Sequence, residues 1–111
     1  MENSKRGSFD LEDRTYAFAR GVRLYSKAVK ITIHNADDIK QVIRSSGSVA
    51  ANYIEANEAL SKKDFLMRIK IARKEAKETV LWLRLLESPD YLQQEALELK
   101  KILSAILEKS K

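Results

Sequence analysis

RSSGSVAANYIEANEALSKKDFLMRIKIARKEAKETVLWLRLLE, residues Arg44 to Glu87, decides the fold. Its first part is crowded with small residues, Ser45, Ser46, Gly47, Ser48, Ala50 and Ala51. So little side-chain bulk lets a second helix backbone come close, so the run predicts a tight helix–helix contact. The chain then reverses at Leu60-Ser61. Beyond Ser61 the apolar positions Phe65, Ile69, Ala72, Ala76, Thr79, Leu83 and Leu86 alternate steps of four and three without a slip. That spacing is the inward stripe of a helix in a left-handed bundle. Ser61 with Asp64 three residues on forms a capping-box-like start. Ser88-Pro89-Asp90 ends the helix, because the residue before a proline is pushed out of helical geometry.

The same reading extends outward in both directions. Upstream, Leu11, Thr15, Phe18, Val22, Tyr25, Val29 and Thr32 repeat the four-three spacing, behind an acidic opening at Asp10, Glu12 and Asp13. A second helix follows from an Asn35 cap through Ile39, Val42 or Ile43, Ser46, Val49, Tyr53, Ala56 or Asn57, and Leu60. Downstream, Leu92, Ala96, Leu99, Leu103 and Ile106 carry a fourth. Helices are expected over about 10–32, 36–60, 62–88 and 90–109, with boundaries good to roughly two to four residues. Four helices on short connections pack most simply as an all-α, antiparallel up-down-up-down bundle. Residues 1–9 read as a flexible arm, and 10–111 as one domain.

Composition agrees and narrows the function classes. The 111 residues hold three glycines and one proline, and alanine, leucine, lysine and glutamate abound. No cysteine is present and His34 is the single histidine, so thiolate or histidine-rich metal sites are not expected, nor is a cofactor. Di-iron bundles need paired Glu-x-x-His motifs, and no glutamate stands three residues before His34. His34 reads as a loop residue. Glu55 and Glu75, if inward, would pair with an arginine such as Arg44 or Arg73, and Asn52 reads as a hydrogen-bonding register residue. No catalytic residue is assigned and no small-molecule substrate is evident, so the chain is expected not to be an enzyme. The N-terminus lacks the apolar block of a signal peptide and no window is long enough to span a membrane. The apolar seams are committed to the bundle, so membrane binding is not expected either, and a cytoplasmic location is.

The third helix carries a second stripe, Ile71, Glu75, Glu78, Trp82 and Leu85. It either widens the core face or forms an oligomer interface anchored by the tryptophan. Glu75 and Glu78 would then want basic partners, which a neighbouring subunit could supply. Two basic stripes also stand out: Arg20, Arg23, Lys27 and Lys30 on the first helix, and Lys63, Lys70, Lys74, Lys77 and Arg84 on the third. With a net charge of +5, they could bind the phosphates of RNA or DNA. They could equally be solvated faces, with Glu75 pairing to Lys74 or Lys77 and Glu78 to Lys74. Outside the seams only Phe9, Tyr16 and Tyr91 could stack on bases, so phosphate contacts are favoured over base reading.

Three motifs carry a resemblance: SVAANYIEA (48–56), SKKDF (61–65) and IARKEAKETxxWL (71–83). Together they resemble the four-helix-bundle proteins encoded in intervening sequences of bacterial 23S ribosomal RNA genes. The likeness covers nearly the whole chain. In the family a glycine often stands where this chain has Ala56, which implies a straighter helix end here. The resemblance implies a homo-oligomeric ring, typically a pentamer. It also implies a kinship with the accessory bundle of diversity-generating retroelements, which works with a reverse transcriptase and RNA. From both sources the expected function is a non-enzymatic oligomer binding nucleic acid without sequence preference. The alternative is a protein–protein scaffold or accessory subunit.

Overall fold

Four helices, α1 (Ser8–Ala28), α2 (Ala36–Asn57), α3 (Lys62–Leu85) and α4 (Asp90–Lys109), make up the computed structural model, which describes residues 8–111. Among the described residues there is no strand. Each helix packs on its neighbours in sequence, α1 also closes on α4, and the diagonal pairs do not approach each other. The result is the expected four-helix bundle around one core. The expected arm over residues 1–9 lies outside the described residues, apart from Ser8 and Phe9, which are helical.

The seams go where the spacing sends them. Val22, Val42, Val49, Ile69, Leu83, Leu99 and Leu103 have no solvent exposure. Each such side chain contributes roughly 1.5–3 kcal/mol through burial. Leu107 is buried as well, one position beyond the expected Ile106.

Helix ends depart from expectation at three places. α1 stops at Ala28, four residues early, although its seam pattern continues to Thr32. The segment Val29-Lys30-Ile31-Thr32-Ile33 is rich in β-branched residues, which lose rotamer freedom in a helix. Thr32 and Asn35 then offer the backbone other partners. Asn35 Oδ1 accepts from the Thr32 amide at 2.8 Å, and its Nδ2 donates to the Lys30 carbonyl at 3.0 Å. Asn35 does occupy the cap position of α2, but its side chain makes no cap hydrogen bond; it staples the connector instead.

α2 ends at Asn57, so Leu60 leaves the seam and stands 98% exposed in the turn. At α3 the Ser61 hydroxyl accepts from the Asp64 amide at 3.1 Å, the hydroxyl half of the expected box. Its C-terminus is a Schellman motif, not a proline stop. Ser88 N–H donates to the Leu83 carbonyl and Glu87 N–H to that of Arg84, with Glu87 left-handed at φ 51°. Pro89 comes only after the helix has already closed.

The small-residue run serves two neighbours. Ser45 Oγ lies 2.7 Å from Thr79 Oγ1 on α3, and both residues are fully buried. Because the Thr79 hydroxyl donates its one proton to the Glu75 carbonyl at 2.7 Å, Ser45 must be the donor between them. Ser46 and Gly47 turn to α1, where they receive Arg23. Asn52 keeps its register role: it accepts from Arg68 of α3 at 3.2 Å while donating to Ser48. On the far side Arg14 joins α1 to α4 through Glu95 at 2.6 Å. Among the described residues no helix is long and apolar enough to cross a membrane.

Candidate nucleic-acid interface

The first basic stripe is shorter than its spacing promised. Arg20 and Lys27 are exposed on the outward side of α1. Lys30 lies past the helix end, in the connector, so it does not share that face. Arg23 is committed to a structural task. Its guanidinium lies over Gly47, donating to the carbonyls of Ala19 (3.0 Å) and Ile43 (3.2 Å) and, at 3.4 Å, to Ser46 Oγ. A Cβ at residue 47 would stand 3.0 Å from Arg23 Nη2, so the missing side chain makes the seat. Beside Arg23, a groove of about 420 Å³ runs past Arg20 and Lys27, with Tyr16 and Leu24 exposed along it.

On α3 the second stripe holds together. Lys63, Lys70, Lys77 and Arg84 are seven residues apart, a step that drifts only about 20° around a helix. With Lys74 they form one exposed face. Lys74 and Lys77 also border a cleft toward α4, where Arg73, Lys100 and Ser104 join them. Neither Arg73 nor Lys100 belongs to the basic stripes read from the sequence, where Arg73 is only a possible partner of Glu55 or Glu75. Arg73 is one turn from Lys77, a visible signal, but Lys100 sits on another helix and is brought in only by packing.

Glu75 and Glu78 do not neutralise this face. Among the described residues neither forms an ion pair with these cations; Arg44 of α2 grips Glu75 through two nitrogens at 3.2 and 3.4 Å and reaches Glu78 at 3.5 Å. Glu75 is buried, so an arginine partner is what its burial requires. That partner comes from the same chain and not from a neighbouring subunit, and it is Arg44, not Arg73. The remaining ion pairs among the described residues are Arg14–Glu95 and Lys111–Glu108, and none contains a cation of either stripe.

The second stripe of α3 divides between the two roles open to it. Glu75 belongs to the α2–α3 joint, and Ile71, Glu78 and Trp82 are half-buried. Trp82 packs against the edge of the core, yet its Nε1–H is buried without an acceptor. Leu85 is 55% exposed, and Leu81 and Met67 stand exposed on the same helix.

Other groups of chemical interest are structural. Tyr53, buried on α2, has its phenol pushed above the ordinary value of 10.0, mainly by burial; a hydrogen bond with Asn57 opposes this and the Glu12 charge adds to it. Burial raises Tyr25 in the same direction. Asn57 also bonds Glu12 at 2.7 Å, closing the α1–α2 joint. His34 and Glu55 are exposed. No group of three or more His, Cys, Asp or Glu among the described residues could hold a metal ion.

The family model described as 23S rRNA-intervening sequence protein matches residues 10–110. The chain belongs to that family. A crystal structure of a Bacteroides thetaiotaomicron protein with unknown function, from the S23 ribosomal protein family, shares 30% sequence identity with this 23S rRNA-intervening sequence family member. Its TM-score is 0.78, over 91% of this chain and 97% of that one. No curated protein matches the chain.

Proposed function

We propose that this family member is a non-enzymatic, oligomeric bundle that binds RNA or DNA without base specificity through its cationic helix faces. The observation that carries this reading is the charge segregation on α3. Lys63, Lys70, Lys74, Lys77 and Arg84 share one exposed face, while Glu75 and Glu78 are paired with Arg44. A face of unpaired cations attracts a polyanion and releases its counterions on contact. Tyr16 and Tyr91 are the exposed aromatics among the described side chains, too few for base-by-base stacking.

The assembly half of the proposal rests on Trp82, Leu85 and Met67, which lie at or beyond the edge of the cationic face and not within it. A second subunit seated there would cover the exposed apolar side chains and give the indole N–H an acceptor. A closed ring, pentameric as the resemblance implies, would repeat the basic faces and raise avidity through effective concentration. Light scattering on Trp82→Ala combined with Leu85→Glu should show smaller particles than the wild type. A wild type that is monomeric at about tens of micromolar would rule the ring out.

The binding half is tested by purification from cells with and without nuclease, followed by sequencing of what co-purifies. Nucleic acid of mixed sequence, lost on nuclease treatment, is the expected result. A protein that carries none and binds none at low salt would be a protein–protein scaffold instead.

A further inference from the structure

Between α3 and α4, on the flank of α3 away from Arg44, lies a cleft of about 430 Å³ bordered by Arg73, Lys74, Lys77, Lys100 and Ser104. Lys100 and Ser104 are half-buried; the three α3 cations are exposed. Four positive side chains converge here and no carboxylate lines the space. The nearby acids are already engaged, Glu75 and Glu78 by Arg44 and Glu108 by Lys111 at 3.1 Å. None of the four cations enters an ion pair or a hydrogen bond among the described residues, and the Ser104 hydroxyl has no protein partner there either.

Like charges gathered without a counter-charge repel one another, and they lose less by it when an anion sits among them. The donor set is specific as well. A guanidinium presents a rigid fork that matches two phosphate oxygens, ammonium groups act as mobile point charges, and a hydroxyl can donate to a third oxygen. A planar carboxylate has two oxygens and would leave part of this set unused. The volume falls within the range of about 300–1,000 Å³ seen for ligand clefts. The α1 groove is the weaker candidate, since Arg23 already spends its donors on Ala19, Ile43 and Ser46.

We infer that the α3–α4 cleft is a phosphate-binding subsite, with Arg73 and Lys100 gripping from opposite walls and Lys74, Lys77 and Ser104 completing the cage. Resting on the nucleic-acid reading above, the phosphate it takes is a backbone phosphodiester. Lys70 and Arg84 continue the track along α3 to either side.

Two measurements on the full chain separate this inference from that reading. In the first, thermal midpoints are compared in inorganic phosphate and in chloride of equal ionic strength. The wild type should be stabilised by phosphate, and Arg73→Gln with Lys100→Gln should abolish the effect. Arg20→Gln with Lys27→Gln, which removes the same charge from α1, should preserve it. In the second, a labelled oligouridylate is titrated against all three proteins. The cleft variant should lose on the order of tenfold or more in affinity, and its salt slope should flatten by about 1.4, two contacts at about 0.7 each. The α1 variant should lose less.

Equal losses in the two variants, or a phosphate effect that survives the cleft substitutions or is absent from the wild type, would overturn the subsite. RNA binding would then stand as a diffuse property of the basic faces. The converse result, phosphate stabilisation that depends on the cleft in a protein that binds no RNA, would keep the subsite and remove the nucleic-acid reading. Both variants should keep wild-type helicity in phosphate-free buffer, since neither residue pair supports the core.

Discussion

Replacing Thr79 by valine should cost more than replacing its partner Ser45 by alanine, although the two share one hydrogen bond. Both side chains are fully buried, with their oxygens 2.7 Å apart. The asymmetry follows from the proton count. Thr79 gives its proton to the Glu75 carbonyl and accepts the proton of Ser45. In Ser45→Ala, Thr79 keeps its donation and loses only an accepted bond, at about 1 kcal/mol. In Thr79→Val the shape is kept, but the Ser45 hydroxyl and the Glu75 side of the seam lose their partner. An orphaned buried donor costs about 1–3 kcal/mol, and rotation of Ser45 onto a carbonyl one turn back would recover part of it. About 2 kcal/mol is expected. The double variant removes both groups together and should cost about 1 kcal/mol, leaving a coupling of about 2 kcal/mol. Urea denaturation followed by far-UV ellipticity measures all three, provided the slopes agree. Additive losses, or a Ser45→Ala variant weaker than Thr79→Val, would refute the assigned direction of the bond.

Leu83 has no exposed surface, so Leu83→Ala should destabilise by about 2–5 kcal/mol in the same assay; a loss under about half a kcal/mol would mean that the α3 seam is misassigned. Glu87 holds a left-handed conformation at φ 51° that costs about 1–2 kcal/mol for a residue with a Cβ. Glu87→Gly should therefore raise stability by about 0.5–1 kcal/mol after the added chain entropy of glycine is deducted, and an unchanged or lowered denaturation midpoint would contradict this. Tyr53 and Tyr25 have phenols raised above 10.0 in the folded state, so the contribution of the neutral rings is fully present below pH 10 and is lost as pH rises through the raised values. Melts across that range should show falling stability, with a shallower fall in Tyr53→Phe.

Most of the architecture was legible because periodicity reports burial directly. Ile69, Ala72, Ala76, Thr79 and Leu83 were assigned to the core by spacing alone, and all are buried. Helix ends were less legible, since they depend on local bonds that periodicity ignores. The α1 seam runs on through Val29 to Thr32, yet the Thr32–Asn35 side-chain bonds claim that backbone. The end of α3 rests on a left-handed glutamate, which carries none of the sequence signal that a glycine would. Charge pairing was legible in kind but not in partner. Arginine was expected for a buried glutamate, but choosing Arg44 over Arg73 needs the packing of α2 against α3. The same limit hid the cleft, because Arg73 and Lys100 are distant in sequence and become neighbours only when α3 and α4 pack.

The most direct test of nucleic-acid binding is a salt titration of affinity, read by fluorescence anisotropy on labelled single strands of several unrelated sequences. Log affinity should fall linearly with log salt, by about −0.7 for each phosphate contact, and the lines for different sequences should nearly coincide. Replacing Lys63, Lys70, Lys74, Lys77 and Arg84 with glutamine should flatten the slope, whereas Arg23→Gln should act mainly on stability, because its donors are tied to α2. No binding by the wild type at low salt, or an unchanged slope after the α3 face is neutralised, would contradict the proposal.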